Sequence, residues 1–371
     1  MKQIALTFLS LFNLCCAAQE YYLLAGTYDS PGSDGIYVYR FSSDNGTVVP
    51  VSQIRSSNPS FLAVAPGERF VYAVFENAPK DGKGGDVAAF AFNKTSGTLS
   101  FINRQLSGGD HPCHVETDRT GRWVFASNYS SGTLSVLPVN PDGSLGNATT
   151  LQHTGSGPNP QRQKGPHVHG AVVSPDNRQL LVTDLGIDKV MIYSFDAVTG
   201  KLSPAQQPFA LSVQGSGPRS LTFHPNHKIA YVIEEISGTV AGYKYDKGRL
   251  KQVQRISTLP AGDSLSPGSA DIHVSPDGKF LYASNRGEVN TIAIYRIGKK
   301  GRLSLAGHQP VLGRTPRNFS LDPTGRYLLC ANQNSDEIVV FKRDEKTGFL
   351  TDTGNRIKVG KPVCIKWIPV N

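Results

Sequence analysis

The chain has 371 residues, enough for two or three ordinary domains or for one large repeat fold. Its 38 glycines and 24 prolines are spread along the whole sequence, which suits many short strands joined by tight turns and argues against a long apolar helix. The formal net charge is +9, yet no block of five or six consecutive basic residues occurs, and Lys and Arg are not interleaved with aromatics. Nucleic acid is thereby argued against as a partner. What remains is attraction of a small anion, or a basic surface that binds nothing.

Residues 1–18 read as an export signal. Lys2 supplies the positive end, Ile4 to Leu14 the apolar run, and Cys16-Ala17-Ala18 a small-residue cleavage site. The run is too short to span a bilayer, which needs roughly 20 apolar residues. The residues before Cys15 and Cys16 match a lipid-attachment signal poorly. The expectation is a secreted or periplasmic protein whose folded part is one domain, residues 19–371, with no transmembrane segment and acting as a monomer.

Two aromatic-rich strands come next, YYLLAGTY from Tyr21 and GIYVYRF from Gly35. Six similar units follow, each with an apolar strand, a turn and a second apolar strand, at starts about fifty residues apart. They are SFLAVAPGERFVYAVFEN from Ser60, CHVETDRTGRWVFASNY from Cys113, HGAVVSPDNRQLLVTDLG from His169, RSLTFHPNHKIAYVIEEI from Arg219, ADIHVSPDGKFLYASNRG from Ala270 and RNFSLDPTGRYLLCANQN from Arg317. An alternating third strand follows each (KVMIYSF and TIAIYRI are examples). Then comes a Gly-x-Leu turn at Gly97, Gly143, Gly200, Gly248, Gly301 and Gly348, and a fourth strand. Four antiparallel strands at this period are the pattern of propeller blades. The chain ends in PVCIKWIPV from Pro362, which matches a first strand with nothing after it. Pairing it with the two N-terminal strands completes a seventh blade and removes both open sheet edges. The predicted fold is therefore all-β: a seven-bladed β-propeller of four-stranded blades, its ring closed by N- and C-terminal strands sharing one blade.

Cys113, Cys330 and Cys364 remain after cleavage of the signal. Cys330 and Cys364 sit in apolar strand runs and read as buried thiols, although an export compartment leaves one disulfide between them open.

Aligning the six units on their turn residue places Ser60, Cys113, His169, Arg219, Ala270 and Arg317 at the start of the first strand. Glu76, Tyr129, Leu185, Glu235, Arg286 and Gln333 stand where the second strand ends. Both sets emerge at one mouth of the central channel, where loops vary without disturbing strands. The richest sector is His169, Arg219, Glu235 and Arg286. Two guanidinium forks suit a carboxylate or phosphate, and His and Glu are common general acid–base groups. Each also has a purely structural account: the arginines as bridges between blades, Glu235 as their ion-pair partner, His169 as a satisfied core histidine. Glu234 faces away in its strand. Arg317, His114, His167, Glu76 and Gln333 are further candidates for binding substrate at the mouth. His167 and His169 flank one residue and could share a metal, but no third ligand follows at short spacing, so no metal or other cofactor is expected.

These residues carry a resemblance. PCHV at Pro112, the His-Gly of HVHG at His169, GPR at Gly217, VIEEISGTV at Val232 and IHVSPDGKFLYASNRG at Ile272 make the chain similar to the seven-bladed propeller lactonases. That family includes propeller-type 6-phosphogluconolactonases and carboxy-muconate cyclising enzymes. The match runs along essentially the whole mature chain from Ala25. In the cyclising branch the proposed active-site set is a His before Gly, an Arg after Gly-Pro, a Glu sixteen residues on and an Arg in Asn-Arg; by motif these fall on His169, Arg219, Glu235 and Arg286. The resemblance implies a metal-independent lactonase hydrolysing an anionic sugar-acid lactone, with Arg219 and Arg286 holding the anion and His169 or Glu235 deprotonating water. Export argues against 6-phosphogluconolactone itself, an intermediate of cytoplasmic sugar metabolism. Two rivals stand beside this reading: lactonisation of a muconate-like acid, and a non-catalytic propeller that binds a glycan or protein. The second would favour stacked aromatics, and Tyr129 is the only aromatic in the two aligned sets.

Overall fold

The computed structural model describes residues 19–77, 84–260, 262 and 265–370. The export signal read over residues 1–18, with Cys15 and Cys16, lies outside the described residues. Among the described residues twenty-eight strands form seven antiparallel sheets of four. Blades 1 to 6 begin with the inner strands Pro59–Val64, Pro112–Thr117, Val168–Val173, Pro218–Phe223, Ser269–Val274 and Pro316–Leu321. Blade 7 joins Pro362–Pro369 to Glu20–Thr27, Gly35–Ser42 and Val48–Arg55 in that order. Leu23 opposes Trp367 and Ala25 opposes Ile365 across the closing pair, so the termini close the ring as the split repeat predicts.

Alternation makes one side chain in two apolar on each face of a blade, and each face needs a neighbour to cover it. The result is seven apolar clusters, each lying between two adjacent blades. Between blades 2 and 3, for example, Phe125, Leu134, Val168, Ala171 and Val182 are almost wholly buried together.

The Gly-x-Leu turns add a second seam. Their glycines have φ between 68° and 86°, a region that costs other residues strain. A Cβ would also collide with the preceding blade: at Gly143 with the ring of Phe70, at Gly200 with Trp123, at Gly348 with Phe280. Five of the six turns thus lie on the side chain that opens the neighbour's second strand, and Gly97 lies on Tyr22, two residues into Glu20–Thr27.

Cys113, Cys330 and Cys364 are buried free thiols. No disulfide joins the last two, which face different partners: Cys330 Sγ lies 3.6 Å from Asn332 Oδ1, and Cys364 Sγ accepts from Leu62 N at 3.3 Å. No helix among the described residues is long and apolar enough to cross a membrane.

Candidate active site

A repeated β-bulge aims side chains into the channel. The strand ladder skips Ser60, Cys113, His169, Arg219 and Arg317, each the second residue of its inner strand, and skips Val363 in blade 7. In blade 5 it skips both Ala270 and Asp271. An extra residue leaves the pleat and re-aims its side chain. The second ring is set by a backbone hydrogen bond just past each second strand. Tyr129 N donates to His111 O at 3.0 Å, Glu235 N to Gly217 O at 2.7 Å and Arg286 N to Pro267 O at 3.0 Å. Blade 7 contributes Tyr28 in the same way, so this ring carries two aromatics rather than one.

A cavity of about 220 Å³ opens at this mouth, lined by Glu76, Cys113, Tyr129, Arg162, His169, Glu235, Arg286 and Arg317. Glu235 is its anchor. Its Oε2 lies 2.8 Å from Arg286 Nη2 and 3.0 Å from Arg219 Nε, and its Oε1 accepts from Arg162 Nη2 at 2.5 Å. Arg286 also donates from Nε to Gly268 O at 2.6 Å, and Arg219 from Nη1 to Ala270 O. Arg317 is less engaged: its Nη2 is 3.8 Å from Glu76 Oε1 and its guanidinium lies over the Tyr28 ring. Tyr28 OH donates to Glu76 Oε2 at 2.7 Å. His169 Nδ1 is 3.9 Å from Cys113 Sγ, and the Tyr129 ring meets the imidazole edge-on.

Burial alone would raise the Glu235 carboxyl, but Arg286, Arg219, His169 and Arg162 outweigh it and hold it well below the usual carboxylate range. Burial, reinforced by Arg219, Arg317 and Arg286, pushes His169 well below its ordinary value, against an opposing pull from Glu235. At neutral pH the site therefore pairs an ionised, weakly basic carboxylate with a neutral imidazole, beside guanidiniums that stay charged.

A family model described as lactonase, 7-bladed beta-propeller matches residues 22–367. The chain belongs to the propeller lactonase family. A Bacillus subtilis protein named 6-phosphogluconolactonase is 36% identical, covering 94% of this chain and 99% of its own. A Formosa agariphila protein of the same name is 39% identical over 87% of this chain and 92% of its own. The solved structure of a periplasmic gluconolactonase from Pseudomonas aeruginosa superposes with a TM-score of 0.90 at 37% identity, covering 95% of this chain and all of that one.

In this propeller lactonase His169, Glu235, Arg286, Arg317 and Glu76 meet in the mouth cavity, as the alignment of repeats expects. Arg219 lies beneath it, turned to Glu235. The remaining three candidates are elsewhere. His114 is one residue past its bulge, its ring tilted against the Phe61 ring at 4.4 Å between centroids, and deeper in the channel. His167 precedes its strand; its ring stacks on Tyr129 and its Nδ1 lies 2.9 Å from Tyr129 O. Gln333 opens a short 3-10 turn and does not line the cavity. Glu234 faces away as expected, with Oε2 accepting from Arg255 Nε at 2.7 Å. Among the described residues no three His, Cys, Asp or Glu side chains cluster as metal ligands would. Alignment of repeats missed Arg162, which lies in none of them. Its signal is the link from Gln152 to Val168, the longest between any two blades, since long ordered loops are disproportionately functional.

Proposed function

We propose that this lactonase hydrolyses the lactone of a sugar acid in the mouth cavity, with His169 as the general base. The observation that carries the reading is a buried imidazole sharing one small cavity with several guanidiniums. Arg286 and Arg317 face that cavity. They would hold the substrate's anionic group and the oxyanion that develops at the lactone carbonyl, where preorganised positive charge lowers the barrier. Arg317 has the weaker internal pairing and so the greater capacity to bind a ligand. Glu235, already bonded to three arginines, would fix their positions rather than accept a proton. Arg219 would support Glu235 from below.

The leader-like residues 1–18 argue for a substrate met outside the cytoplasm, and so for an unphosphorylated aldonolactone. A pH-stat screen of the purified protein tests this against a panel of aldonolactones, 6-phosphogluconolactone and a muconate-type acid. Turnover of the unphosphorylated lactones is the expected result. Turnover of none of the panel would replace the reading with a binding propeller. The screen is repeated after prolonged dialysis against a chelator; loss of activity there would return His167 and His169 to consideration as metal ligands.

A further inference from the structure

Beneath the mouth lies a second, smaller cavity of about 20 Å³. Cys113, His169 and Arg317 line both, so the small cavity is the floor of the large one. Ser60, His114, Arg219, Ser220 and Asp271 complete its polar lining, with Ser220 Oγ already donating to Ala270 O at 3.2 Å and His114 Nδ1 accepting from Ala171 N at 3.5 Å. Its volume suits one water molecule, which needs roughly 10–15 Å³ by this measure and two to four polar partners.

The floor is specific about how it would hold that water. Arg219 and Arg317 can only donate, so one of them can meet one lone pair of that water while the other lone pair stays free. Asp271 accepts, but most of its capacity is used: Oδ2 by Asn318 Nδ2 at 2.5 Å, His273 Nε2 at 2.9 Å and Phe319 N at 3.3 Å, and one site of Oδ1 by Ile272 N at 2.9 Å. Ser60 differs. The residue is only 3% exposed, its bulge turns it into the channel, and its Oγ has no hydrogen-bond partner among the described residues. It is also the only hydroxyl among the seven bulge positions, which otherwise hold Cys113, His169, Arg219, Ala270, Arg317 and Val363. A buried hydroxyl left unpaired is costly and calls for a bound partner.

We propose that the floor cavity holds the water that attacks the lactone, and that Ser60 positions it beneath His169. This rests on the lactonase reading above. Ser60 Oγ accepts one hydrogen of the water and the His169 imidazole accepts the other, which leaves a lone pair aimed upward at the carbonyl carbon. The water oxygen bonds to that carbon as its proton passes to His169, and the carbonyl π pair moves onto oxygen beside the guanidiniums. On collapse the ring C–O bond breaks, and the departing alkoxide takes the proton back from His169. One lactone and one water give one hydroxy acid. Ser60 touches only the water, so it is a positioning residue.

The isosteric pair Ser60→Thr and Ser60→Val tests this, because both carry the same added bulk and only Thr keeps the hydroxyl. The Thr variant should exceed the Val variant in kcat by about 10-fold, the usual worth of one hydrogen bond, at the same KM and the same melting temperature. Equal kcat values would overturn the proposal. A high-resolution crystal structure of the free wild-type protein supplies a readout that needs neither variant to fold. Density for a water between Ser60 Oγ and His169 is expected, and an empty floor in an active enzyme would overturn the positioning role alone. Absence of any lactone turnover by wild type would instead overturn the reading on which it rests.

Discussion

Three guanidiniums converge on Glu235, two of them largely buried, so the carboxylate is the charge that makes the site foldable. Removing one partner of a buried ion pair typically costs about 3–5 kcal/mol, because the charge left behind has lost its water as well. Glu235→Gln should therefore lower the melting temperature as well as the rate, and a melt equal to wild type would show that the arginines find other partners. The same variant bears on the base. A base works while it is unprotonated, and the His169 pKa lies below its ordinary value, so activity should persist to a pH below the usual histidine range near 6.5. Glu235 is the group that pulls that pKa upward. Its loss should move the acidic limb of the rate profile to still lower pH, and His169→Gln should abolish the limb while costing about 10²–10⁴ in rate. An acidic limb that survives in His169→Gln would transfer the role to another group. The four residues of the richest sector were legible in the sequence for a mechanical reason: one bulge recurs at one place in every unit, so counting from the turn finds it. His114 and His167 were misplaced for two different reasons. His114 sits one residue after its bulge, and a single step along a strand changes the face on which a side chain stands; His167 precedes its strand and is drawn onto the Tyr129 ring instead.

At the scale of single elements, turns and loops divide the work. The Gly-x-Leu turns have identical geometry in blade after blade because each must lie flat on its neighbour. Gly200 shows what that demands. It has φ of 75° and no room for a Cβ beside Trp123, whose Nε1 is itself held by Ala197 O at 3.1 Å. Gly200→Ala combines left-handed strain of roughly 1–2 kcal/mol with a displaced tryptophan. It should therefore lower stability by more than about 2 kcal/mol in urea unfolding, whereas a surface change free of such features stays within about 0.5 kcal/mol. No change in the midpoint would mean that the seam yields. The link from Gln152 to Val168 is the opposite kind of element. Nothing repeats it, and it carries Arg162 over the mouth onto Glu235 and Tyr129 OH. Comparison of units cannot reveal a residue that has no counterpart in any unit; only the length of the segment pointed to it.

The whole molecule depends on a seam between its ends. Every other blade is a continuous stretch of chain, but blade 7 brings residues 362–369 to residues 20–55. Its inner strand is more than a patch on an edge. Val363, Cys364, Ile365 and Ile368 are each no more than 2% exposed, and Cys364, Ile365 and Ile368 enter the apolar clusters on both sides of the blade. It is also hydrogen-bonded beyond its own sheet, since Ile365 N donates to Asn318 Oδ1 of blade 6 at 2.8 Å and Cys364 Sγ accepts from Leu62 N of blade 1 at 3.3 Å. Burial of a side chain of this kind contributes about 1.5–3 kcal/mol. Four of them come to roughly the entire net stability of a folded protein, about 5–15 kcal/mol. Ending the chain before Val363 should therefore abolish cooperative unfolding rather than shift it. The edge of Glu20–Thr27 would be left open to pair with other chains, so the truncated protein should also aggregate. Because the bulges around the mouth hold their geometry only while the ring is closed, lactone turnover should vanish with the melt, although none of the proposed acid–base residues has been removed. A truncated chain that melts and turns over substrate like the full-length protein would mean that six blades close on their own, and that the terminal strands merely cover an edge.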